Sequence, residues 1–573
     1  MRIGEIESLT GLSAGTIRYW EERGLVSFDR AGNSYRDIPD TTVELLKKIK
    51  LFRELGVAIA DIKLWRDGLV DEHSLLSAQK KKLEEDSRSN LGQIALCGRL
   101  MEGGIESAGA PMNGFFTEIP ERPGKLALGV DIGTTSVSAK LISLETGAPL
   151  HTYTLDHHAA ISPDNRPELM YAPDAFAADA EKLLGLATGL VRSAVDSFPE
   201  IASIGFTGQM HGIVLCGKNG ISPLYTWQNQ FGNRTVGDET FRGKIKRLTG
   251  YDIPTGYGLA TYFALKELGD GECEFLTTIA DLAVTRLCGL DRPLSHPTNA
   301  ASLGFFDLNT NGFDLEALGK LGIDKSVLPD IAPDLEPVGE YRGIKVAAAI
   351  GDNQAGVFGS LKGENDVLVN IGTSGQVSFI GKIAQTSSDP ACEIRSYPGG
   401  KYLHSGSTLC GGRAYALLAD LVGEILEGFG VSRPRGEIYS FLNESANKAD
   451  GTLMVSTTFS GTRGDPSATG CIDRITTSNL NLSELSHGFL RGMVEELNEL
   501  YELMGHKKVG RLVVSGNAMR KNPALREIAG EVFGSEPSVP AQTEEAAFGA
   551  ALYGAVSARI ISLDAVKGLI RYK

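Results

Sequence analysis

Two short runs in this chain combine residue types that hold phosphate. Leu126-Ala127-Leu128-Gly129-Val130 leads into Asp131-Ile132-Gly133-Thr134-Thr135, and Val367-Leu368-Val369 leads into Asn370-Ile371-Gly372-Thr373-Ser374. In each, an apolar strand ends in an acid or amide, a glycine and two hydroxyls. The glycine lets backbone N–H groups approach an anion, and the hydroxyls of Thr134, Thr135 and Thr373 add donors. Asp131 is a hard oxygen ligand suited to a hydrated Mg2+. One such run alone reads as an ordinary strand and turn. Gly133 and Gly372 lie 239 residues apart, and two copies at half-chain spacing point to two related α/β domains facing each other. An anion clamped between two loops of this kind is what phosphoryl transfer requires.

Transfer to an alcohol also needs a base. Ile350-Gly351-Asp352-Asn353-Gln354-Ala355-Gly356 places a carboxylate, Asp352, at the end of an apolar strand just before the second copy. Taken alone, it would be an Asx turn or a helix N-cap. Thr207-Gly208-Gln209-Met210-His211-Gly212 offers an amide and an imidazole for hydroxyls, with Met210 for a carbon face. Trp227-Gln228-Asn229 offers an aromatic platform with amides. A buried histidine and a core tryptophan are the plainer alternatives. Glycine turns at Cys410-Gly411-Gly412-Arg413 and Ser515-Gly516-Asn517-Ala518 suit an α-phosphate and an adenosine. The chain has 69 glycines, so neither turn is specific by itself.

The elements that must position these residues divide the 573-residue chain unevenly. From Leu126 onward, β-branched runs alternate with helical periods, the pattern of α/β architecture. Ahead of it, residues 103–124 hold closely spaced glycines and prolines and read as a linker. Residues 72–102 read as one long polar helix. Its narrow stripe of Leu76, Leu83, Leu91, Ile94 and Met101 packs either on a partner helix or on its own domain. Residues 1–66 read as short helices at 3–9, 14–23, 40–55 and 60–67, with a hairpin at 28–35. Ser13 is the N-cap of the second helix and Gly24 ends it.

Net charge is −15, which alone argues against nucleic acid. However, residues 1–66 hold 11 basic and 10 acidic side chains, so the remaining 507 carry −16 and any DNA contact belongs to the N-terminal end. No apolar run reaches the ~20 residues of a membrane helix, and the first residues lack a secretory signal. Seven cysteines without a C-x-x-C pair point to a reducing cytosol.

In their order, DIGTTS, TGQMHG, Lys266 with the later HPTNAASLGFFDL, GDNQAG, NIGTS, LCGG, SGNAMRKNP and AAFGAALYG make residues 126–554 resemble the FGGY carbohydrate kinases. The resemblance implies an ATP- and Mg2+-dependent kinase for a small sugar, on two actin/hexokinase-like (ribonuclease H-like) domains, 125–357 and 358–573. It makes Asp352 the base and sets Asp131 near Mg2+ and the attacked phosphate. Gly133, Thr134, Thr135, Gly372 and Thr373 would cradle phosphates, and Gly411, Gly412, Gly516 and Asn517 would line the nucleotide. Gln209, Met210, His211, Trp227, Asn229 and Asp352 would face the sugar. Within that family TGQMHG and TWQN are most similar to the sedoheptulokinases, then the xylulokinases, which implies a ketose. The chain departs from the family's W-x-D-x-R, with Asn229 at the acidic position, and reads Ser515-Gly516-Asn517 for its three glycines.

IGEIESLTGLSAGTIRYWEERGLV, the run ending Asn33-Ser34-Tyr35-Arg36 and LFRELGVAIADIK resemble the MerR-type winged helix–turn–helix. That likeness implies an all-α domain, 1–70, which binds double-stranded DNA through residues 1–66. Ser13, Thr16, Arg18 and Tyr19 would lie at the major groove, and Tyr35 and Arg36 at phosphate. It makes 71–102 the helix of a homodimer, ahead of the 103–124 linker. Only Cys97 lies there, so metal sensing is not implied. Two functions fit: an active cytoplasmic kinase fused to a DNA-binding regulator, or a regulator whose kinase-like part only senses sugar or nucleotide. Asp352 and the paired loops favour the first.

Overall fold

Leu126–Ile132 (β1) is apolar and buried along nearly its whole length, as a strand covered on both faces must be. In the computed structural model it sits inside a sheet and turns at Gly133 into Ser136–Ser143 (β2), which pairs with Pro149–Asp156 (β3). The structure describes residues 10, 12, 14–26, 28–30, 36, 37, 40–85, 124–161, 176–218, 220–384, 387–505 and 508–573.

Helix Ala180–Ser197 (α5) returns the chain to Ile201–Gly208 (β4), parallel to β1. Pro337–Tyr341 (β5) and Ile344–Ala347 (β6) complete the order β5-β6-β4-β1-β2-β3. Ile350–Gly351 then extends beside the end of β4 and hands the chain to helix Asp352–Phe358 (α6).

The second sheet repeats this plan. Asp366–Ile371 (β7) turns at Gly372 into the antiparallel Gly375–Gly381 (β8), as β1 turns into β2. Cys392–Tyr397 (β9) and Lys401–Thr408 (β10) follow, then helices Gly412–Gly428 (α7) and Leu482–Leu503 (α8). Arg511–Ser515 (β11) lies parallel to β7, and Pro537–Ser538 (β12) closes the order β9-β10-β8-β7-β11-β12. The sequence repeat is therefore a structural repeat, two α/β domains of the expected actin-like kind.

Helix Glu545–Ser557 (α9) joins them. From Ala547 to Ser557 it is buried on every side, as its continuous small and apolar residues require. It belongs to the C-terminal domain, yet it lies across β1 and β4 of the first sheet and against α6. The approach is backbone to backbone. A Cβ on Gly129 would stand 1.9 Å from Ala547 O, and one on Gly549 would stand 1.8 Å from Ala355 O. No side chain fits in either gap.

The N-terminal head consists of Ala14–Glu22 (α1), Asp40–Glu54 (α2), Ile59–Arg66 (α3) and Glu72–Glu85 (α4). Ile17 and Trp20 of α1 are buried with Leu46, Ile49, Phe52 and Ile62, while Arg18 and Tyr19 face solvent. Strands Asp29–Arg30 and Arg36–Asp37 pair Arg30 with Arg36. The wing therefore closes one or two residues beyond the expected hairpin. The expected helix at 3–9 and the linker's residues up to 123 lie outside the described residues, as do Ser13 and Tyr35.

The head packs on the kinase-like body. Helix α3 lies on α5 and helix α4 on β3. Leu64 fills the space a side chain at Gly189 would need, and Leu69 lies over Gly185. Leu75 and Leu76 join the same buried cluster as Leu155. Leu76 of the expected stripe is thus buried against its own chain, while the Leu83 side chain and residues 86–102 lie outside the described residues. Among the described residues, no helix is long and apolar enough to cross a membrane.

Candidate active site

The strand register brings three sequence runs to one edge. Asp131 of β1 and Ile350 both stand beside Thr207 of β4, and Ile132 and Gly351 both stand beside Gly208. Asp131, Gln209 and Asp352 therefore emerge together at the carboxyl ends of parallel strands, where open α/β sheets bind ligands.

The first loop is held tightly. Gly133 N–H donates to Ser136 O at 2.9 Å, and Gln209 braces the loop twice, with its backbone N–H on Ile132 O at 2.9 Å and Nε2 on Gly133 O at 3.1 Å. Gln209 is nearly buried, so it positions the loop as well as neighbouring the cleft. Thr134 and Thr135 stay exposed. Trp227 lies at the cleft mouth and donates from Nε1 to Thr134 Oγ1 at 3.1 Å. Its contact in this structure is thus the first glycine loop. Asn229 is fully buried, where its Oδ1 accepts the Phe231 N–H at 3.0 Å and turns the chain.

Asp131 Oδ1 is buried and has no hydrogen-bond partner among the described residues. Burial, then the charges of Asp352 and Glu544, push its carboxyl up to about 8. Such a crowd of carboxylates is relieved by a cation. Among the described residues there is no group of three or more His, Cys, Asp or Glu that could cage an ion. One free carboxylate at a strand end fits Mg2+, which keeps several waters and takes its other ligands from phosphate.

Asp352 opens α6, and its Oδ1 accepts the Asn353 N–H at 2.7 Å. Burial raises its carboxyl to about 6, against the Asn353 amide and Arg395, which both lower it. The turn is braced by the HPTNAAS run. Thr298 Oγ1 accepts the Gly351 N–H at 3.0 Å, and Asn299 Nδ2 donates to Ala349 O at 3.1 Å and to the buried Asp281 at 3.2 Å.

His211 takes a left-handed backbone, φ 70°. Its ring lies 4.2 Å from that of Tyr257, and Nδ1 is 2.8 Å from Ser302 O. A carbonyl can only accept, so Nδ1 carries the proton and Nε2 is left as an acceptor. Burial, then Arg395, hold the imidazole down to about 4, so it is neutral at physiological pH.

The second loop is built by close glycine contacts. Gly412 N–H donates to Gly372 O at 2.9 Å and Gly411 N–H to Thr373 O at 3.0 Å. A Cβ at Gly411 would fall 2.4 Å from Ser374 C, so the start of α7 presses directly on the loop. Gly516, at φ 88°, lies against Asn370 and Ile371, and Thr373 and Asn517 face solvent. Loop, LCGG turn and SGN turn thus form one surface.

Several groups here were not expected from sequence. Glu393 and Arg395 of β9 cross from the C-terminal domain, and Arg395 Nη1 lies 3.7 Å from Met210 Sδ. Glu544 accepts from Ser138 Oγ at 3.1 Å, beside Asp131. Tyr257 stacks on His211. Together Met210, His211, Tyr257, Thr298, Glu393 and Arg395 line a cleft of about 300 Å3 next to the Asp352 turn.

Residues 1–69 match the MerR HTH family regulatory protein. Residues 126–362 and 367–558 match the N- and C-terminal domains of the FGGY family of carbohydrate kinases. The sedoheptulokinase of Mus musculus is 28% identical over 472 residues, covering 74% of this chain and 96% of the mouse protein. The xylulose kinase of Staphylococcus xylosus is 23% identical over 459 residues, covering 75% and 90%. The crystal structure of ligand-bound xylulose kinase from Lactobacillus acidophilus superposes with a TM-score of 0.67 at 17% identity, covering 78% of this chain and 93% of that one, a likeness of fold. With both domain models matched and the repeated loops in place, the chain belongs to the FGGY family of carbohydrate kinases and carries a MerR-type helix–turn–helix region at its N-terminal end.

Proposed function

We propose that this kinase transfers the γ-phosphate of ATP to a terminal hydroxyl of a ketose, of the sedoheptulose kind or next the xylulose kind, while its head binds specific DNA as a homodimer in the cytoplasm. The observation that carries the kinase part is the convergence of Asp352 with Asp131 and Gln209 at one set of strand ends. The ketose part is supported by the likeness to sedoheptulokinases across nearly their full length.

In this mechanism Asp352 accepts the proton of the sugar hydroxyl as its oxygen bonds to the γ-phosphorus and the bond to the β–γ bridging oxygen breaks. Gly133, Thr134, Thr135, Gly372 and Thr373 orient the phosphates with backbone N–H groups and hydroxyls. Asp131 would hold Mg2+ through water, and the ion supplies charge neutralisation to the phosphates. Gly411, Gly412, Gly516 and Asn517 receive the nucleotide. Neutral His211 offers Nε2 to a sugar hydroxyl, and Met210 offers its thioether side to a carbon face. Trp227 and Gln209 keep the first loop in position. Supplying the full chain with ATP, Mg2+ and C5–C7 ketoses one at a time, and finding the phosphorylated sugar by mass spectrometry, tests this reading. No phosphorylated product from any of them would count against it.

The raised Asp352 carboxyl sets a pH dependence. A protonated base accepts nothing, so kcat/KM is expected to be level above pH ~6 and to fall about tenfold per unit below it. A profile from pH ~5 to ~8 in several buffers checks the limb.

The DNA reading rests on α1, whose Ile17 and Trp20 anchor it while Arg18 and Tyr19 stay exposed beside Thr16. Arg36 stands in the wing. Arg18→Ala is expected to weaken operator binding by about 1–3 kcal/mol and non-operator binding by less. Equal operator affinity in wild type and variant would remove Arg18 from the DNA face. The homodimer is assigned to helix 72–102 on the likeness of residues 1–69 to MerR-type regulators. Equilibrium sedimentation of the full chain tests it.

A further inference from the structure

Arg395 is a guanidinium carried into the sugar cleft by the opposite domain. It stands on β9, only 12% exposed, and turns Nε and Nη2 onto Glu393 Oε2 at 3.0 and 2.5 Å. Arg463 adds a second cation, 3.7 Å from Glu393 Oε1. The remaining nitrogen, Nη1, points across the domain boundary to Met210 Sδ at 3.7 Å. A thioether is a weak acceptor, so a strong N–H donor in a nearly closed site is left with a poor partner. Its neighbours in the same cleft are His211, with Nε2 free to accept, and Tyr257.

The chemistry of this wall selects its ligand. An unpaired buried guanidinium would call for a carboxylate or phosphate. Here Glu393 occupies Nε and Nη2, so an anion could reach only Nη1, without the bidentate fork, and would meet that carboxylate beside it even though Arg463 offsets part of its charge. A neutral polyol meets both partners: a hydroxyl oxygen accepts from Arg395, and a hydroxyl O–H donates to Glu393 or to His211 Nε2. The cleft of about 300 Å3 is lined by Met210, Thr298, Glu393 and Arg395, and Thr298 also accepts the Gly351 N–H of the Asp352 turn. A longer sugar chain fills more of that volume than a three-carbon alcohol does.

We propose that Arg395 and Glu393 are specificity-determining residues of this kinase, which read hydroxyls remote from the phosphorylated end of an uncharged sugar and favour a long ketose over a short polyol. The assignment rests on the kinase reading above. Because the wall belongs to the C-terminal domain and the base to the N-terminal one, a long sugar touches both, and a short one touches only the base side.

The test compares wild type, Arg395→Gln, Arg395→Lys and Glu393→Gln in the full chain, with melting curves to establish folding. Sedoheptulose, xylulose and glycerol are the substrates. For Arg395→Gln, kcat/KM on sedoheptulose is expected to fall about tenfold or more, the loss of one charge-assisted hydrogen bond. Because Arg395 also lowers the Asp352 carboxyl, rates are compared at pH ~8, where that base stays ionised; there the change is expected in KM, with kcat held within about twofold and glycerol changed far less than sedoheptulose. Arg395→Lys keeps the charge without the planar fork and should lose the same preference. Glu393→Gln frees the guanidinium and should admit a sugar acid such as gluconate. Equal losses on sedoheptulose and glycerol, or a fall in kcat with KM intact, would overturn the assignment. A binding arm separates it from the kinase reading: calorimetry of sedoheptulose on Asp352→Asn and on Asp352→Asn with Arg395→Gln needs no turnover. Equal affinities there overturn the role of Arg395, whether or not the wild-type chain phosphorylates any sugar.

Discussion

Asp352→Asn is expected to lower kcat by about 100- to 10,000-fold, the range a positioned general base contributes. The amide has the shape of the carboxylate and can still accept the Asn353 N–H, which the carboxylate takes at 2.7 Å. The turn should therefore keep its bracing by Thr298 and Asn299. What it cannot do is take a proton from a hydroxyl. Sugar affinity, assigned in the proposed function to His211, Met210 and the wall beyond them, should change little. Single-turnover phosphate transfer together with calorimetric sugar binding measures both. A variant that retains a tenth or more of wild-type kcat would place the base elsewhere.

Gly549→Val is expected to produce one of the large losses of stability available to a single change in the kinase body. The Cβ of any residue at 549 would lie 1.8 Å from Ala355 O and 2.7 Å from Ala355 C. The obstruction is backbone, so no rotamer change relieves it, and α9 must lift from α6. Overpacking of a core commonly costs about 1–3 kcal/mol, and a clash with main chain belongs at or above the top of that range. Helix α9 also rests on β1 and β4, which end at Asp131 and Gln209, so lifting it disturbs the strand ends that hold the site. Thermal or urea unfolding of the full chain decides the point. A midpoint equal to that of the wild type would mean that this crossing is looser than the distances imply.

The two glycine turns at strand ends were legible in sequence because their signal is local. An acid or amide, a glycine and two hydroxyls after an apolar strand define the turn wherever they occur, and the repeat at Gly133 and Gly372 implied the paired sheets. The Asp352 turn was legible for the same reason. Arg395 was not. In Cys392-Glu393-Ile394-Arg395-Ser396-Tyr397 the opposite charges two apart read as an ordinary ion pair on one face of a strand. Only the tertiary fold brings them to Met210, 185 positions away in the chain. Asn229 shows the converse. Its spacing from Trp227 marked it for the sugar; its Oδ1 caps the Phe231 turn in the core, a role the spacing did not show, and its buried Nδ2 has no hydrogen-bond partner among the described residues. Nor did the glycines and prolines of 103–124 reveal that the head packs on the kinase. That contact joins Leu64 and Leu69 to Gly189 and Gly185, small residues in an unremarkable amphipathic helix. Tyr153 of β3 lies within the electrostatic field of Asp61 and Arg53 of the head. Four residues on, His157 donates its N–H to Thr135 O of the first phosphate loop. One strand thus touches both the head and the loop.

ADP release by the full chain, supplied with ATP, Mg2+ and each C5–C7 ketose in turn, bears most directly on the central claim. The expected result is turnover on a ketose of the sedoheptulose or xylulose kind, with the Asp352→Asn chain at background. Background rates on every ketose, combined with operator binding that changes when sugar is added, would contradict it and leave a sensor in place of an enzyme.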